Sequence, residues 1–547
     1  MNNLFKKCLK LFFLLLPAIF FIAFFLITIQ VERIRFRVLY DSDINWLLRT
    51  GELIVNSGFL LPPYDLYSYT YAEKPWILYQ WLFEVITYLG FKVAQYHGVA
   101  ILCLLVFTLT YTLLFLNLRL QKINLIYCLM AVILGGWTAS STLYARPANF
   151  TYLFTALLLI IFVLSEQYSR KVLWFVPVIF LFWANMHLGF TFGMIILLIF
   201  WVYKCLDSLI NKADRQKLYL TTLSIATGIS LLMTLVNPYG IKLYTYMITL
   251  MGSGYMNDNI KELLSPNFHK DLYLPVLIFI VSIILLSYFN RKQNLFYLIF
   301  LATSIYMTLM FVRNVQFFAI FATLVLALQL QDLQDYILNR EKLSKIIKYP
   351  FEKIKKIQDL EIKLLSEDFK YKKIPISLIA IVIFILLLVP LMQVKSLRDV
   401  YDFSLDYVSY RPVEAYRFVL EYDIPGRFYT HPTWGSYAIL KLFPKYKVFI
   451  DTRFDMYGDE FFKKAHNIKL TRGKWLDDLA EYDVNWICVP NNAQIAVELR
   501  TKHKKRWFVA YKDEIATIFV KNTRENHKWF LKSGAKKYYL TKENKDS

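Results

Sequence analysis

The chain has 547 residues, 57% hydrophobic, 18% aromatic and only 19% charged, where a soluble domain carries roughly 25% charged residues. That excludes a single soluble globule, and 39 Tyr, 45 Phe and 12 Trp exclude a disordered chain, which is poor in such side chains. The class that remains is a polytopic membrane protein.

The net charge of +22 fits either a nucleic-acid surface or cationic cytoplasmic loops. Its placement favours the loops, because Lys6-Lys7, Arg170-Lys171, Lys212 to Lys217 and Arg291-Lys292 punctuate apolar runs instead of forming one phosphate-binding stripe. No nucleic-acid partner is expected. The five cysteines, Cys8, Cys103, Cys128, Cys205 and Cys488, show no CxxC or Cys/His metal spacing.

A helix crossing a bilayer core needs about 20 apolar residues. In chain order this predicts about 11 spans, at roughly 11–30, 98–117, 124–143, 148–165, 171–187, 189–209, 218–237, 271–289, 295–312, 315–330 and 374–393. The first follows Lys6, Lys7 and Lys10 and ends without a small-residue cleavage site, so it reads as a retained helix. The stretch 76–95 passes as a further span on hydropathy, but a span there would turn the later basic clusters outward. Read instead as an interfacial amphipathic helix, with Trp76, Tyr79, Trp81 and Tyr88 at headgroup level, it leaves those clusters cytoplasmic. The N-terminus is then cytoplasmic and the C-terminus extracytoplasmic.

The expected organisation is a transmembrane domain over 1–393, containing a first outer loop at 31–97 and a basic cytoplasmic segment at 331–373, followed by a soluble extracytoplasmic α/β domain at 394–547. In that tail a helical pattern at 411–423 precedes strand-like runs at 427–430, 446–451 and 486–490. A hairpin turning at Asp513-Glu514 follows, and a helix at 474–482 lies between strands.

Ionisable groups in or near spans are costly and mark sites. Asp41 and Asp43 follow the first span, Arg146 ends the third, Asn185 and His187 end the fifth, Asn237 ends the seventh, and Arg313 with Asn314 joins the ninth to the tenth. All fall at expected outer helix ends, where they would line one cavity. Two carboxylates at i and i+2 suit a metal–phosphate group, or one acts as base while the other positions a cation. If the chemistry is metal-dependent, a divalent cation, Mg or Mn, would rest on Asp41 and Asp43. Arginines suit a phosphate because the guanidinium stays charged and binds oxygen pairs in a fork. Glu84 on the interfacial helix is a second acid, and Asp451 and Arg453, just after a strand, suit acceptor binding or docking.

Each has a plainer explanation beside it. The acid pair reads also as a hydrated turn, the arginines as snorkelling side chains and His187 as the cap of a helical hairpin. Asn237 reads as the turn before Pro238, Glu84 as a wet helix face, and Asp451 with Arg453 as a structural loop.

The run DSDINWLLRTGELIVNSGFLLPPYDLYSYT, then KPWILYQWLFE, ARPANFTYLF, WANMHLGF, NPYG, KELLSPNF, VRNVQFFAI and WGSYAILKLFPKYKVFIDTRFDMYG, resembles a group of bacterial multi-span proteins allied to the GT-C glycosyltransferase superfamily. The resemblance covers about residues 35–520, through the order of the motifs more than any one of them. It implies an α-helical, GT-C-like membrane fold in the bacterial plasma membrane and a polyprenyl-phosphate-linked sugar donor. It also implies that Asp41 or Asp43 matches the first-loop catalytic acid, and that the arginines at outer helix ends match carrier-phosphate contacts. Two departures remove titratable groups. Asn45-Trp46-Leu47 stands where relatives carry Trp-Trp-His, and Tyr79-Gln80 where they carry His-Glu.

The activity expected is an inverting transfer of sugar from the carrier to an extracytoplasmic glycan, lipid or protein, with an outer-loop Asp as base. A transporter or flippase of lipid-linked glycans would instead show internal repeats and charges deep in the spans. A non-catalytic membrane scaffold would tolerate loss of the acid pair.

Overall fold

The computed structural model describes residues 3–30, 38–72, 74–210, 214–252, 254–289, 295–365 and 411–536. The expected span at 374–393 and the first residues of the tail lie outside the described residues. The chain divides into two compact units, Met1–Val38 with His97–Ile241 and Ile260–Asp402, and Leu39–Tyr96 with Lys242–Asn259 and Phe403–Ser547. A single cut near residue 393 therefore does not separate them, because the first loop belongs with the tail.

The first unit is helical. Helices occur in ten of the expected spans, from Asn3–Gln30 to Val315–Leu338. Among the described residues, five helices are long and apolar enough to cross a membrane, Lys7–Thr28, Trp81–Leu120, Ala148–Gln167, Phe190–Leu209 and Val312–Leu338. The apolar helices Leu125–Ser140, Asp271–Ser287 and Leu295–Met310 are shorter, since the apolar runs there continue into turns. Helices Val315–Leu338 and Leu125–Ser140 pack closely because position 135 is glycine. A Cβ at Gly135 would lie 2.0 Å from Thr323 Oγ1, inside any real contact, and Tyr111 donates its hydroxyl to the Gly135 carbonyl at 3.1 Å. Helix Lys345–Leu365 lies in the basic segment and is tied in by an Arg119–Glu361 ion pair.

The stretch 76–95 enters the helix Trp81–Leu120, which is not continuous but breaks at Ala94 (φ −144°, ψ 29°) and Gln95 (φ 53°, ψ −142°). The arm before the break belongs to the second unit and the remainder to the first.

The second unit is α/β. Strands β1 (Arg427–Thr430), β2 (Val484–Pro490), β3 (Trp507–Lys512) and β4 (Ala516–Lys521) form one sheet in the order β1-β2-β4-β3. β1 runs parallel to β2, and β4 is antiparallel to both its neighbours. Asp513 sets the β3–β4 turn by accepting the Ile515 and Ala516 amides at 2.8 and 2.6 Å. The core gathers Tyr429, Phe449, Ile487, Val489, Leu499 and Phe519. The strand expected at 446–451 does not join this sheet. Its Val448 exchanges backbone bonds with the first loop, donating to the Tyr67 carbonyl at 2.8 Å and accepting from the Tyr69 amide at 3.1 Å.

Candidate functional site

Helix Asp43–Asn56 opens with an acidic first turn, where a carboxylate complements the helix dipole. Asp41 is buried and its Oδ1 accepts the Asp43 amide at 3.1 Å. Asp43 is half-buried, and its Oδ1 accepts a hydrogen bond from Thr452. Thr452 is itself held by Ser436 at 2.7 Å between hydroxyls. Arg411 completes this corner. It is buried and donates to Asn45 Oδ1 at 3.2 Å and the Leu39 carbonyl at 3.0 Å. Neither Arg411 nor Thr452 is predicted as a site residue, because each meets the acidic motif only through folding. Leu47 and Gln80 are both buried.

The pair Asp451 and Arg453 sits in a closed cluster. Arg453, 2% exposed, grips Asp451 with Nε and Nη2 at 2.9 and 2.7 Å and lies 2.9 Å from Asp65 of the first loop. Its guanidinium faces the rings of Trp76 at 4.5 Å, Tyr67 at 5.0 Å and Trp46 at 6.0 Å, a cation–π arrangement. Tyr457 donates to Asp451 at 2.7 Å. Burial lowers the Arg453 pKa, but the two carboxylates outweigh it and raise the value well above the ordinary one. Asp65 anchors the loop turn by accepting the Tyr67 and Ser68 amides at 3.1 and 3.0 Å. The only signal for Asp65 in the sequence is the run YDLYSY. Beside this cluster Tyr246 donates to Asp455, whose carboxyl burial pushes upward.

Glu84 is fully buried. Gln80 lies one turn away, but neither carboxyl oxygen makes a hydrogen bond of ordinary geometry among the described residues. Helix Asp43–Asn56 crosses it closely, since a Cβ at Gly51 would lie 2.2 Å from the Glu84 carbonyl oxygen. The reading of Glu84 as the wet face of its helix does not survive this burial.

In the first unit, Arg146 precedes helix Ala148–Gln167, forms an ion pair with Glu262 and lies 5.6 Å from the Tyr144 ring. His187 caps helix Phe175–Met186. Its Nδ1 accepts the Gly189 amide at 3.1 Å and lies 2.9 Å from Thr151 Oγ1, while Trp183 donates to that same hydroxyl at 2.9 Å. An amide N–H can only donate, so Nδ1 is an acceptor and the ring proton sits on Nε2. Both Arg146 and Arg313 act electrostatically on this ring. Arg313 is exposed and makes no ion pair among the described residues. Tyr152 donates to its carbonyl at 3.3 Å. The structure thus groups Arg146, His187 and Arg313, and adds Glu262, which lies within the motif KELLSPNF and carries no signal of its own there.

Asn237 and Asn314 do local work. Asn237 accepts the Tyr239 amide and donates to the Thr234 carbonyl, both at 2.8 Å, closing the turn before helix Lys242–Met251. Asn314 is buried and donates to the Met307 carbonyl at 3.1 Å, satisfying the end of helix Leu295–Met310. Among the described residues no group of three or more His, Cys, Asp or Glu side chains could hold a metal ion.

The sequence matches no protein-family model and no curated protein. Its fold is similar to that of solved structures. The Archaeoglobus fulgidus oligosaccharyltransferase, tethered to an acceptor peptide containing the NVT sequon, aligns over 96% of this chain and 75% of its own with a TM-score of 0.52 at 10% identity. The apo form of that enzyme aligns over 92% and 71% with a TM-score of 0.51 at 12% identity. ArnT from Cupriavidus metallidurans, bound to undecaprenyl phosphate, aligns over 93% and 98% at 8% identity, but its TM-score of 0.45 carries no weight. At these identities the likeness establishes the fold alone, as the fold of that oligosaccharyltransferase.

Proposed function

We propose that the chain is a membrane glycosyltransferase of the bacterial plasma membrane, moving a sugar from a polyprenyl-phosphate carrier to an extracytoplasmic acceptor with inversion. The observation that carries this reading is the grouping of Arg146, His187 and Arg313 at helix ends in a chain that shares the fold of an oligosaccharyltransferase. Fold alone does not name a reaction. A cationic group that keeps one guanidinium out of any ion pair among the described residues is suited to an anionic leaving group.

In the proposed reaction the acceptor hydroxyl oxygen attacks the anomeric carbon and forms the new glycosidic bond. The bond from that carbon to the phosphate oxygen breaks, and the polyprenyl phosphate leaves with its electron pair. Asp43 takes the hydroxyl proton. Its half-exposure and the Thr452 hydrogen bond favour it over Asp41, whose buried carboxylate shapes the helix start. Arg313, with Arg146 once Glu262 releases it, meets the negative charge that develops on the phosphate. If the reaction needs a divalent cation, Asp41 and Asp43 would hold it and it would supply charge neutralisation, with Asp43 then a ligand and not the base. Glu84, Asp451 and Arg453 act by holding the first loop on the tail, with no contact to substrate.

The test is transfer of labelled sugar from polyprenyl-phosphate donors in membranes carrying the wild type, Asp41→Asn or Asp43→Asn at matched abundance. Loss with Asp43→Asn supports the reading and its base. Full transfer in both variants removes the acid pair from catalysis, and absence of transfer in the wild type with every donor shifts weight to a flippase or scaffold.

A further inference from the structure

Helix Lys345–Leu365 of the first unit is held along one side. Gln358 donates to the Lys122 carbonyl at 3.0 Å, Asn124 donates to the Ile354 carbonyl at 3.2 Å, and Glu361 pairs with Arg119. All three partners lie at 119–124, where helix Trp81–Leu120 turns into helix Leu125–Ser140, and the helix also packs on Asn3–Gln30 and Val315–Leu338. It therefore lies across the ends of apolar helices, while its own lysines and acids exclude it from crossing a bilayer.

A second side carries an apolar stripe. Positions 346, 349, 353, 357, 360 and 364 recur at steps of three and four, so they share one face. Ile346 is 86% exposed, Tyr349 56%, Ile357 42% and Leu360 38%, a surface that gains by leaving water. The stripe is broken by Lys353, whose ammonium lies 4.5 Å from the centre of the Tyr349 ring. A lysine so placed lays its methylenes on apolar surface and carries its charge to the edge.

The charges are sorted about that stripe. At 3.6 residues per turn, Lys356 falls about 60° from its centre, the exposed acids Glu352 and Asp359 about 100° and 120° away, and Lys348 and Lys355 farther still. Glu361 is already neutralised by Arg119. The apolar face thus has cations nearest to it and acids turned aside, and it stands beside the ends of apolar helices, where lipid is the neighbouring solvent. That complements a bilayer with anionic headgroups.

We propose that helix Lys345–Leu365 is an interfacial helix that seats anionic phospholipid, with its stripe at the boundary of headgroup and acyl chain and with Lys353 and Lys356 on the lipid phosphates. The proposal does not depend on glycosyl transfer, and it uses none of the residues assigned to that reaction.

The test places a photoreactive benzoylphenylalanine at Ile357, and separately at Asp359, in the full-length protein. The protein is reconstituted in vesicles of equal phosphatidylglycerol and phosphatidylcholine, and adducts are identified by mass spectrometry. Lipid adducts are expected at 357 and not at 359, with phosphatidylglycerol in severalfold excess. Each lysine near a lipid surface corresponds to about fivefold in affinity for anionic lipid. Lys353→Gln combined with Lys356→Gln should therefore bring the two lipids near parity, while the charge-matched Lys348→Gln with Lys355→Gln should leave the excess standing. Ile346, the most exposed position of the stripe, replaces Ile357 as the probe site if the first variant fails to assemble. Absence of lipid adducts on the stripe, equal adducts at 357 and 359, parity of the two lipids in the wild-type background, or the same loss in both double variants overturns the proposal. A protein adduct at 357 in native membranes, in place of lipid, also overturns it and assigns the stripe to a partner.

Discussion

Arg453 in the α/β unit and Arg313 in the helical unit share a side chain and differ in everything around it. Arg453 is 2% exposed, between two carboxylates and three aromatic rings, so its charge is used up inside the protein. Arg313 is exposed and its charge points to nothing else among the described ion pairs. Arg146 stands between them, its guanidinium paired with Glu262 at side-chain exposures of 28% and 33%. The contrast teaches that an arginine's worth to a site is read from what already holds its N–H groups, since each guanidinium has five donors and no acceptor.

The strongest way to break the comparison is stability. Arg453→Met leaves Asp65 and Asp451 as buried carboxylates without their cation and should cost about 3–5 kcal/mol. Arg313→Met should stay within about 0.5 kcal/mol. Unfolding followed by tryptophan fluorescence checks both, and equal losses would erase the distinction. Next comes activity, where Asp43→Asn should lower transfer by about a hundredfold to ten-thousandfold with the unfolding midpoint unchanged.

Gly51→Val probes the packing beneath the loop. Its Cβ would meet the Glu84 carbonyl oxygen at 2.2 Å, and backbone cannot move aside cheaply, so about 1–3 kcal/mol should be lost. Glu262→Gln sharpens the contrast from the other side. It frees Arg146 from a half-exposed pair worth at most about 1 kcal/mol, so donor binding should tighten severalfold while stability barely changes. A donor affinity that weakens instead would make the pair part of the binding form.

The smallest effect is a pH slope. The folded His431 pKa lies near 3, below its ordinary value of 6.5, so the unfolded chain takes up the proton first. Stability from the neutral ring is complete above about pH 6.5 and is lost as pH falls toward 3. Acid titration of the unfolding midpoint should be shallower in His431→Asn than in the wild type.

Much of this was legible beforehand. The spans from 98–117 to 315–330 each contain a helix, and β1, β2 and the β3–β4 hairpin fall where alternation puts them. What was not legible is instructive at particular residues. YKVFID reads as a strand of the tail, yet its Val448 bonds to Tyr67 and Tyr69. Asp451 and Arg453 read either as ligand contacts or as a structural loop after a strand, and Asp65, which closes the pair, is not visible from either reading. Glu84 reads either as a second acid or as the wet face of its helix, and it lies fully buried.

The sequence by itself determined the membrane class, the helices and the strands, because hydropathy, alternation and turn chemistry act between residues a few positions apart. The tertiary structure alone decided which charges are enclosed and which face outward. The bond from Thr452 to Asp43 joins residues 409 positions apart, and no local pattern reports whether a carboxylate that distant will arrive beside a given donor.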